Sequence, residues 1–253
     1  MASGVRPEVR ASAADAATGN MVRGDDMNID TKSAIRALLA ATALFAASAS
    51  SFAADAAAPA KPEDPKWFIK LGPGGVLFNS SAKLSTPLGQ VPGASARASN
   101  NLAALFSVGY FVTDAIALEL GAGIPPTTAL DGRGTAAGLG NLGKVTYGPA
   151  TLTATYHFKN FGAFQPYAGL GGAYAIIFDA KDGAVTNLSV KGAPAFVLQA
   201  GIDYAIDRHW AAFVDVKQLF LSVDASGNLG PTPVTAKVKL DPTVVFAGVA
   251  YRF

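Results

Sequence analysis

The chain has 253 residues, of which 50% are hydrophobic and only 15% are charged, and its formal net charge at pH 7 is +2. A charge so close to balance argues against a nucleic-acid-binding protein or a polybasic protein of membrane surfaces. Because the sequence contains no cysteine and only two histidines, disulfides, thiolate metal sites and an all-histidine metal cage are excluded. The apolar content suggests a membrane protein, yet no stretch beyond a short N-terminal run approaches the roughly 18–20 apolar residues of a spanning helix.

The first 66 residues predict an export signal and a linker. Two basic residues precede the apolar run 37–47, and small residues follow it up to Ala53. This arrangement predicts a secretory signal peptide over residues 27–53, cleaved after Ala53. The alternative is an alanine-rich helix anchored in the inner membrane, for which the run is short. Residues 1–26 are interpreted as a non-native or over-long N-terminal extension, and residues 54–66, rich in alanine and proline, as a flexible periplasmic lead-in.

Residues 67–253 form the next predicted domain, and their dominant pattern has a period of two. In the segment 152–158, for example, the apolar side chains share one parity, and two threonines and a histidine share the other. This alternation is typical of strands with one buried face. Eight such segments are predicted as strands: 67–78, 102–111, 116–123, 150–158, 164–178, 195–204, 210–223 and 237–253.

The gaps between these segments alternate strictly between short and long. The short gaps are 112–115, 159–163 and 205–209, and the long gaps are 79–101, 124–149, 179–194 and 224–236. Such alternation predicts an all-β fold, an eight-stranded antiparallel transmembrane β-barrel with short periplasmic turns and four longer extracellular loops. The alternative is a soluble all-β sandwich, whose strands also alternate.

The C-terminus supports the barrel. The chain ends in Tyr251-Arg252-Phe253, and apolar residues occupy every second position before it. Tyr251 and Phe253 are therefore interpreted as a signal for the outer-membrane assembly machinery, which would be a partner during biogenesis. The alternative is that a strand simply happens to end the chain.

Short motifs recur in order along the predicted barrel, at 109–114, 116–123, 125–126, 148–153, 156–158, 165–169, 199–204, 209–210, 215–217, 240–242 and 251–253. This ordered set resembles the OmpW family, small outer-membrane barrels of Gram-negative bacteria that include an alkane-uptake protein. The resemblance implies a narrow pore for small hydrophobic molecules, which enter from outside through an apolar funnel and leave sideways through the barrel wall. Family members carry a bulky aromatic residue near the mouth, whereas Trp67 and Trp210 here belong to predicted periplasmic strand ends.

Two groups of side chains follow from this picture. Apolar residues in the long loops are predicted to line the hydrophobic funnel, although they could instead pack as a cluster over the barrel mouth. Inward-facing polar residues are predicted to form a plug that closes the lumen; the alternative is a polar route for small hydrophilic solutes. The funnel residues are Leu84, Leu88, Val91, Ile124, Pro125, Pro126, Leu130, Val185 and Leu188. The plug residues are Glu119, His157, Gln199, Asp203, Asp215, Lys217 and Arg252.

No enzyme is expected. His157 beside a hydroxyl and a carboxylate would be the minimum for acyl transfer, but no Gly-x-Ser-x-Gly motif occurs. We therefore expect no catalytic residues, cofactor or metal. The favoured function is passive uptake of hydrophobic solutes by an integral outer-membrane protein of a Gram-negative bacterium. The alternative is a structural or surface-interaction barrel, acting as receptor, adhesin or antigen with a closed lumen. The expected partners are outer-membrane lipid, lipopolysaccharide and small hydrophobic solutes, and no nucleic acid.

Overall fold

The computed structural model describes residues 65–253, so the predictions for the signal peptide, the residues before it and most of the lead-in lie outside the described residues. Short 3-10 helices occur at Ala137–Leu139 and Lys159–Phe161. The strands are β1 (Trp67–Leu77), β2 (Ser81–Thr86), β3 (Gly89–Gln90), β4 (Ala94–Ala98), β5 (Asn101–Phe111), β6 (Ile116–Gly123), β7 (Thr127–Gly134), β8 (Asn141–His157), β9 (Phe164–Asp182), β10 (Thr186–Val190), β11 (Ala193–Ala205), β12 (Trp210–Leu229), β13 (Thr232–Lys239) and β14 (Thr243–Arg252).

Eight of these strands close into an antiparallel barrel. In the order β1, β5, β6, β8, β9, β11, β12 and β14, each strand pairs with the next, and β14 returns to pair with β1. Reciprocal backbone hydrogen bonds of 3.1 and 2.9 Å join Trp67 to Phe253 at the closure. The predicted eight-stranded barrel is confirmed. We call the end that carries the short connections the short-turn end and the opposite end the long-loop end.

The long connections contain more strand than the sequence predicts. β8 begins at Asn141, β9 continues to Asp182 and β12 continues to Leu229, while β2, β3, β4, β7, β10 and β13 pair beside or between these extensions. The barrel wall therefore rises beyond the predicted spans at the long-loop end, with hairpins in place of most of the predicted loops.

The prediction of one strand over 237–253 is wrong, because the strand is interrupted between the end of β13 and the start of β14. Asp241 adopts a φ of 30°, in the left-handed region, and Pro242 has no N–H to continue the ladder. The Asp241 carboxylate accepts a 3.1 Å hydrogen bond from the backbone N–H of Leu221. The break is thus held against β12.

Side chains alternate between the barrel interior and its outer surface. In β1, Phe68 and Lys70 are buried, whereas Ile69 and Leu71 are exposed. The ring of Phe68 lies over Gly109, its partner in the register, where any side chain would overlap the ring. Apolar side chains that face outward from the barrel suit a hydrocarbon environment. Hydrocarbon also requires every backbone N–H and C=O group to be paired, and a closed barrel meets this requirement because every strand has a neighbour on both sides.

Aromatic pairs surround the outside of the short-turn end. Their ring centroids lie 4.8–4.9 Å apart across neighbouring strands. Such a girdle is typical of the interface between bilayer and water. Among residues 65–253, neither helix has the length and apolar character needed to cross a membrane. The pairs are Trp67 with Tyr110, Phe164 with Tyr204, and Trp210 with Tyr251.

Candidate functional site

The interior near the short-turn end holds a cluster of buried charge, which we call the plug. Its carboxylates and Lys70 are at most 2% exposed, and buried charges of this kind are tolerated only when they are paired. The charges balance, since three cations face three anions. The cations are Lys70, Lys217 and Arg252, and the anions are Glu119, Asp203 and Asp215.

Lys217 links two walls of the barrel within the plug. Its Nζ donates to Glu119 Oε1 at 3.0 Å and to Asp215 Oδ1 at 2.7 Å. Gln199 Nε2 donates to Asp215 Oδ2 at 2.6 Å and lies 3.3 Å from Glu119 Oε1. Thr153 Oγ1 donates to the Gln199 carbonyl oxygen at 2.6 Å. These bonds connect β6, β8, β11 and β12 through side chains alone.

Lys70 connects the remaining charges. Its Nζ lies 3.2 Å from Asp203 Oδ1 and donates to the Tyr167 hydroxyl at 2.9 Å. Tyr167 in turn donates to Asp215 Oδ2 at 2.7 Å. Closer to the short-turn end, Arg252 Nη2 donates to Asp203 Oδ2 at 3.1 Å and to Gln165 Oε1 at 3.0 Å. The plug therefore fills the cross-section with bonded side chains.

Above the plug, towards the long-loop end, lies an apolar cavity that we call the upper chamber. It encloses about 520 Å³, including space open to the outside, and within residues 65–253 its only polar lining residues are Thr128 and Tyr147. A chamber of this composition suits an apolar solute better than an ion or a sugar. Its apolar lining includes Phe78, Leu130, Val145, Ile177, Leu221, Val223 and Leu240.

A second cavity, which we call the wall chamber, crosses from the interior to the outer surface. It encloses about 590 Å³, again counted to its open side. Its inner lining includes Leu219 and Phe246, which are buried, whereas its outer lining includes Phe106 and Ile124, which are 48% and 65% exposed. The same cavity therefore touches both the lumen and the face of the barrel that is turned towards lipid.

The wall chamber lies where the ladder between β6 and β8 is interrupted. Paired residues end at Gly121 and Thr151, and backbone contact resumes where the Tyr147 N–H donates to the Pro126 carbonyl at 3.2 Å, next to the pair of Thr127 on β7 with Thr146 on β8. Three prolines occupy the two sides of this break, and proline cannot donate to a ladder. We call this break the wall opening; its prolines are Pro125, Pro126 and Pro149.

Tyr147 belongs to the lining of both chambers. Its ring packs edge-on against Phe78, with centroids 5.6 Å apart, and its hydroxyl lies 3.5 Å from Asn101 Nδ2. We call this pair the constriction. A solute moving from the upper chamber to the wall chamber would pass beside it.

Comparison with known proteins assigns the chain to a family. The sequence model of the OmpW family matches residues 63–253. The chain belongs to the OmpW family. Among OmpW-family relatives, the dibenzothiophene metabolism operon protein PahQ of Pseudomonas aeruginosa is 36% identical over 197 residues, which are 78% of this chain and 93% of PahQ. Outer membrane protein AlkL of Ectopseudomonas oleovorans is 34% identical over 167 residues, which are 65% of this chain and 72% of AlkL.

The fold comparison agrees. The crystal structure of the outer membrane protein OprG from Pseudomonas aeruginosa matches with a TM-score of 0.69 at 24% identity, covering 75% of this chain and 96% of OprG. This OmpW-family chain is an integral protein of the outer membrane of a Gram-negative bacterium. The predicted family and location are confirmed.

The predicted funnel residues do not all lie in one place. Ile124 and Pro126 line the wall chamber, and Leu130 lines the upper chamber. The others line neither chamber. Leu84, Val185 and Leu188 pack in the apolar cluster around the upper chamber, Val91 is half-buried after β3, and Leu88 and Pro125 are exposed. The chamber-lining residues that the sequence did not point to include Phe78, Tyr147, Leu221 and Val223.

The predicted plug residues all lie inside the barrel. Six of them are joined by the bonds described above. His157 sits at their edge, with Nε2 3.1 Å from Thr155 Oγ1 and Nδ1 4.0 Å from Asp203 Oδ2. This hydroxyl, imidazole and carboxylate are each at most 2% exposed, and neither chamber is lined by them. A molecule held in either chamber would therefore not touch this set of three groups.

Proposed function

We propose that this OmpW-family barrel is a passive channel for small hydrophobic molecules. A solute enters at the long-loop end, occupies the upper chamber, passes the constriction and leaves sideways into the bilayer through the wall opening. The observation that carries this proposal is the wall chamber, since one continuous cavity touches both Phe246 in the lumen and Ile124 on the outer face. Apolar lining on both sides of the constriction lets such a solute avoid water throughout.

The plug supports sideways exit. A straight route to the short-turn end would have to break several buried ion pairs, including those of Lys217 with Glu119 and Asp215. Disrupting a buried ion pair costs about 3–5 kcal/mol. A polar route for hydrophilic solutes would face the same barrier. An apolar solute that turns into the wall chamber meets Lys217 only at the chamber's floor.

Relatives support the class of solute. The name of PahQ places it in an operon for the metabolism of dibenzothiophene, a small apolar aromatic compound. We extend to this chain only the class, a compact hydrophobic molecule. No part of the proposal requires a catalytic residue, a cofactor or a metal, and we propose that the protein is not an enzyme.

The alternative function is a surface-interaction barrel with a closed lumen. The plug is compatible with it, because a barrel that only presents loops needs a sealed interior. The wall opening is not explained by it, since an interruption of the ladder serves no purpose in displaying loops. The interruption therefore favours transport.

We further propose that lipopolysaccharide contacts the outside of the raised wall. Lys83 on β2 lies opposite Lys237 on β13, and both point outward, as does Lys239 two residues along. These ammonium groups lie on the raised wall at the long-loop end, on the side where we place the anionic head groups of outer-leaflet lipid. Charge complementarity makes phosphate the natural partner.

Filling the wall opening tests the channel. A side chain at Gly148 would enter the outer mouth, where a Cβ comes 3.1 Å from Phe178 Cε2 and 3.5 Å from Pro125 Cγ. Gly172 faces outward with open space around it and provides the control. We expect cells with Gly148→Leu to take up labelled octane at the rate of cells without the protein, and cells with Gly172→Leu to behave like wild type. Equal uptake with and without the wild-type protein would overturn the proposal.

A further inference from the structure

The wall chamber has one polar end, and the plug does not account for all of it. Ser107 on β5 is 2% exposed, lines the chamber, and its Oγ has no hydrogen-bond partner among the described residues. A buried hydroxyl without a partner loses the hydrogen bonds that water would give it. Such a group is therefore suited to a ligand that supplies the missing bond.

The strand register creates space beside this hydroxyl. Ser107 lies opposite Gly121, and Gly121 lies opposite Thr151, so the three residues form one row across β5, β6 and β8. A Cβ on Gly121 would come within 2.7 Å of Thr151 Oγ1 and 3.8 Å of Ser107 Cβ. The glycine thus keeps open a gap between two hydroxyl-bearing side chains.

Lys217 closes the same end of the chamber from the opposite wall. Two of the three N–H donors of its ammonium group are used, on Glu119 and Asp215. One donor is left for a ligand oxygen. Because the ammonium is already shared by two carboxylates, this end carries no excess positive charge that would attract an anion.

From these contacts, and resting on the proposed channel, we infer that the wall chamber selects hydrophobic solutes that carry one neutral hydroxyl or carbonyl group. The hydrocarbon part lies among Leu105, Leu219 and Phe246, and the oxygen lies against Ser107 Oγ and Lys217 Nζ. A plain alkane fits the same space but leaves Ser107 unpaired. An ionised carboxylate meets Glu119 and Asp215 and is disfavoured.

The test is a binding titration of the isotope-labelled barrel in lipid nanodiscs. Octan-1-ol and octane are added at equal mole fraction in the bilayer, and the amide resonances of Ser107, Gly121 and Thr151 are followed. We expect octan-1-ol to reach half-saturation at about a fivefold lower mole fraction than octane, the worth of one neutral hydrogen bond. Ser107→Ala should reduce the difference, because only Lys217 Nζ then remains to contact the oxygen, and since Ser107 Oγ bonds nothing in the described chain, this variant should fold normally.

Two controls accompany this titration. Ser107→Thr keeps a hydroxyl, and Ser222→Ala removes one from the outer face of β12; both should retain the preference for octan-1-ol. Equal midpoints for the two solutes in the wild type, or a preference that is undiminished in Ser107→Ala, would overturn the inference. Tighter binding of octanoate than of octan-1-ol would overturn the choice of a neutral group.

The outcome is separable from that of the channel itself. If uptake of octane depends on the protein and on Gly148 while Ser107→Ala changes neither midpoint, only the selectivity is refuted. If the wild-type protein does not accelerate uptake of octane, the channel is refuted, whatever the titration shows.

Discussion

Lys217 on β12 reaches across the barrel to Glu119 on β6, with 3.0 Å between Lys217 Nζ and Glu119 Oε1. The two residues are 98 positions apart in the sequence. Both are buried, so removal of either leaves a charge with one partner fewer inside the barrel.

We expect Lys217→Met to lower the free energy of unfolding by about 3–5 kcal/mol. Urea titration of the barrel in lipid vesicles measures this change. Lys239→Met is the control, because Lys239 makes a 2.9 Å ion pair with Asp241 but is 64% exposed, and exposed pairs contribute about 0–1 kcal/mol. Combining Lys217→Met with Glu119→Gln should cost less than the sum of the single changes. Equal losses for Lys217→Met and Lys239→Met would contradict a stabilising plug.

Replacing Tyr147 should change the size of the solutes that pass. Tyr147→Ala removes one side of the constriction with Phe78, so we expect uptake of a bicyclic aromatic such as naphthalene to rise relative to octane. Tyr147→Phe keeps the ring and loses only the 3.5 Å contact with Asn101, so its uptake ratio should match wild type. If the ratio of naphthalene uptake to octane uptake is unchanged in Tyr147→Ala, the constriction does not limit the size of the solutes that pass.

The turn between β11 and β12 should loosen in acid. Backbone N–H groups of Trp210 and His209 donate to Asp207 at 2.7 Å each and hold the pKa of its carboxyl below the ordinary 3.8. Because the folded chain prefers the ionised form, the carboxylate stabilises the turn above pH 3.8, and this contribution is lost as the pH falls through the lowered pKa. The Trp210 amide proton shift should titrate in that acidic window. In Asp207→Asn it should not.

The last residue should matter for assembly rather than for the finished barrel. Phe253 is 56% exposed, and its backbone, which pairs with Trp67, is unchanged by a side-chain substitution. We expect Phe253→Ala to reduce the amount of folded protein in the outer-membrane fraction, and the purified barrel to unfold at the same urea concentration as wild type. Phe161→Ala is the control, since Phe161 is 62% exposed in a turn at the same end. Equal amounts of folded Phe253→Ala and Phe161→Ala in the outer-membrane fraction would contradict the interpretation of Phe253 as an assembly signal.

The lysines outside the raised wall should contribute to contact with lipopolysaccharide. We expect Lys83→Glu combined with Lys237→Glu to weaken binding of lipopolysaccharide to the nanodisc-embedded barrel by about 1 kcal/mol for each lysine lost, in low salt. Thermal unfolding as a function of added lipopolysaccharide measures this change. Lys159→Glu, in a turn at the opposite end, should have no effect. If dephosphorylated lipopolysaccharide stabilises the protein equally well, phosphate is not the ligand.

The sequence was sufficient for the barrel because a closed wall between lipid and a packed interior forces strict alternation. Leu152 and Tyr156 face outward, and Thr153 and His157 face inward, as their parity predicts. The same rule failed for the strand extensions. There, water replaces lipid outside, so polar and small residues such as Lys181 and Asp182 continue β9 without an apolar face.

The candidate site shows the same limit. Parity placed Lys217 and Glu119 in the lumen, but no local pattern joins residues that are 98 positions apart. The prolines of the wall opening stand out in the sequence, yet only the register shows that Pro126 and Pro149 lie on opposite sides of one break. Ser107 gave no signal at all, because a single serine in an apolar strand acquires meaning only from the absence of a partner.

The prolines also determine what the break presents to its surroundings. An unpaired strand edge inside hydrocarbon normally exposes backbone N–H donors, and acyl chains have no acceptor atoms for them. Each such unpaired donor costs several kcal/mol of free energy. At Pro125, Pro126 and Pro149 those donors do not exist. The slit is therefore compatible with the bilayer while its edges stay unpaired, and the sideways exit proposed above would not require the ladder to open further. The protein would work as a fixed aperture, whose rate is set by the size and polarity of what passes through it.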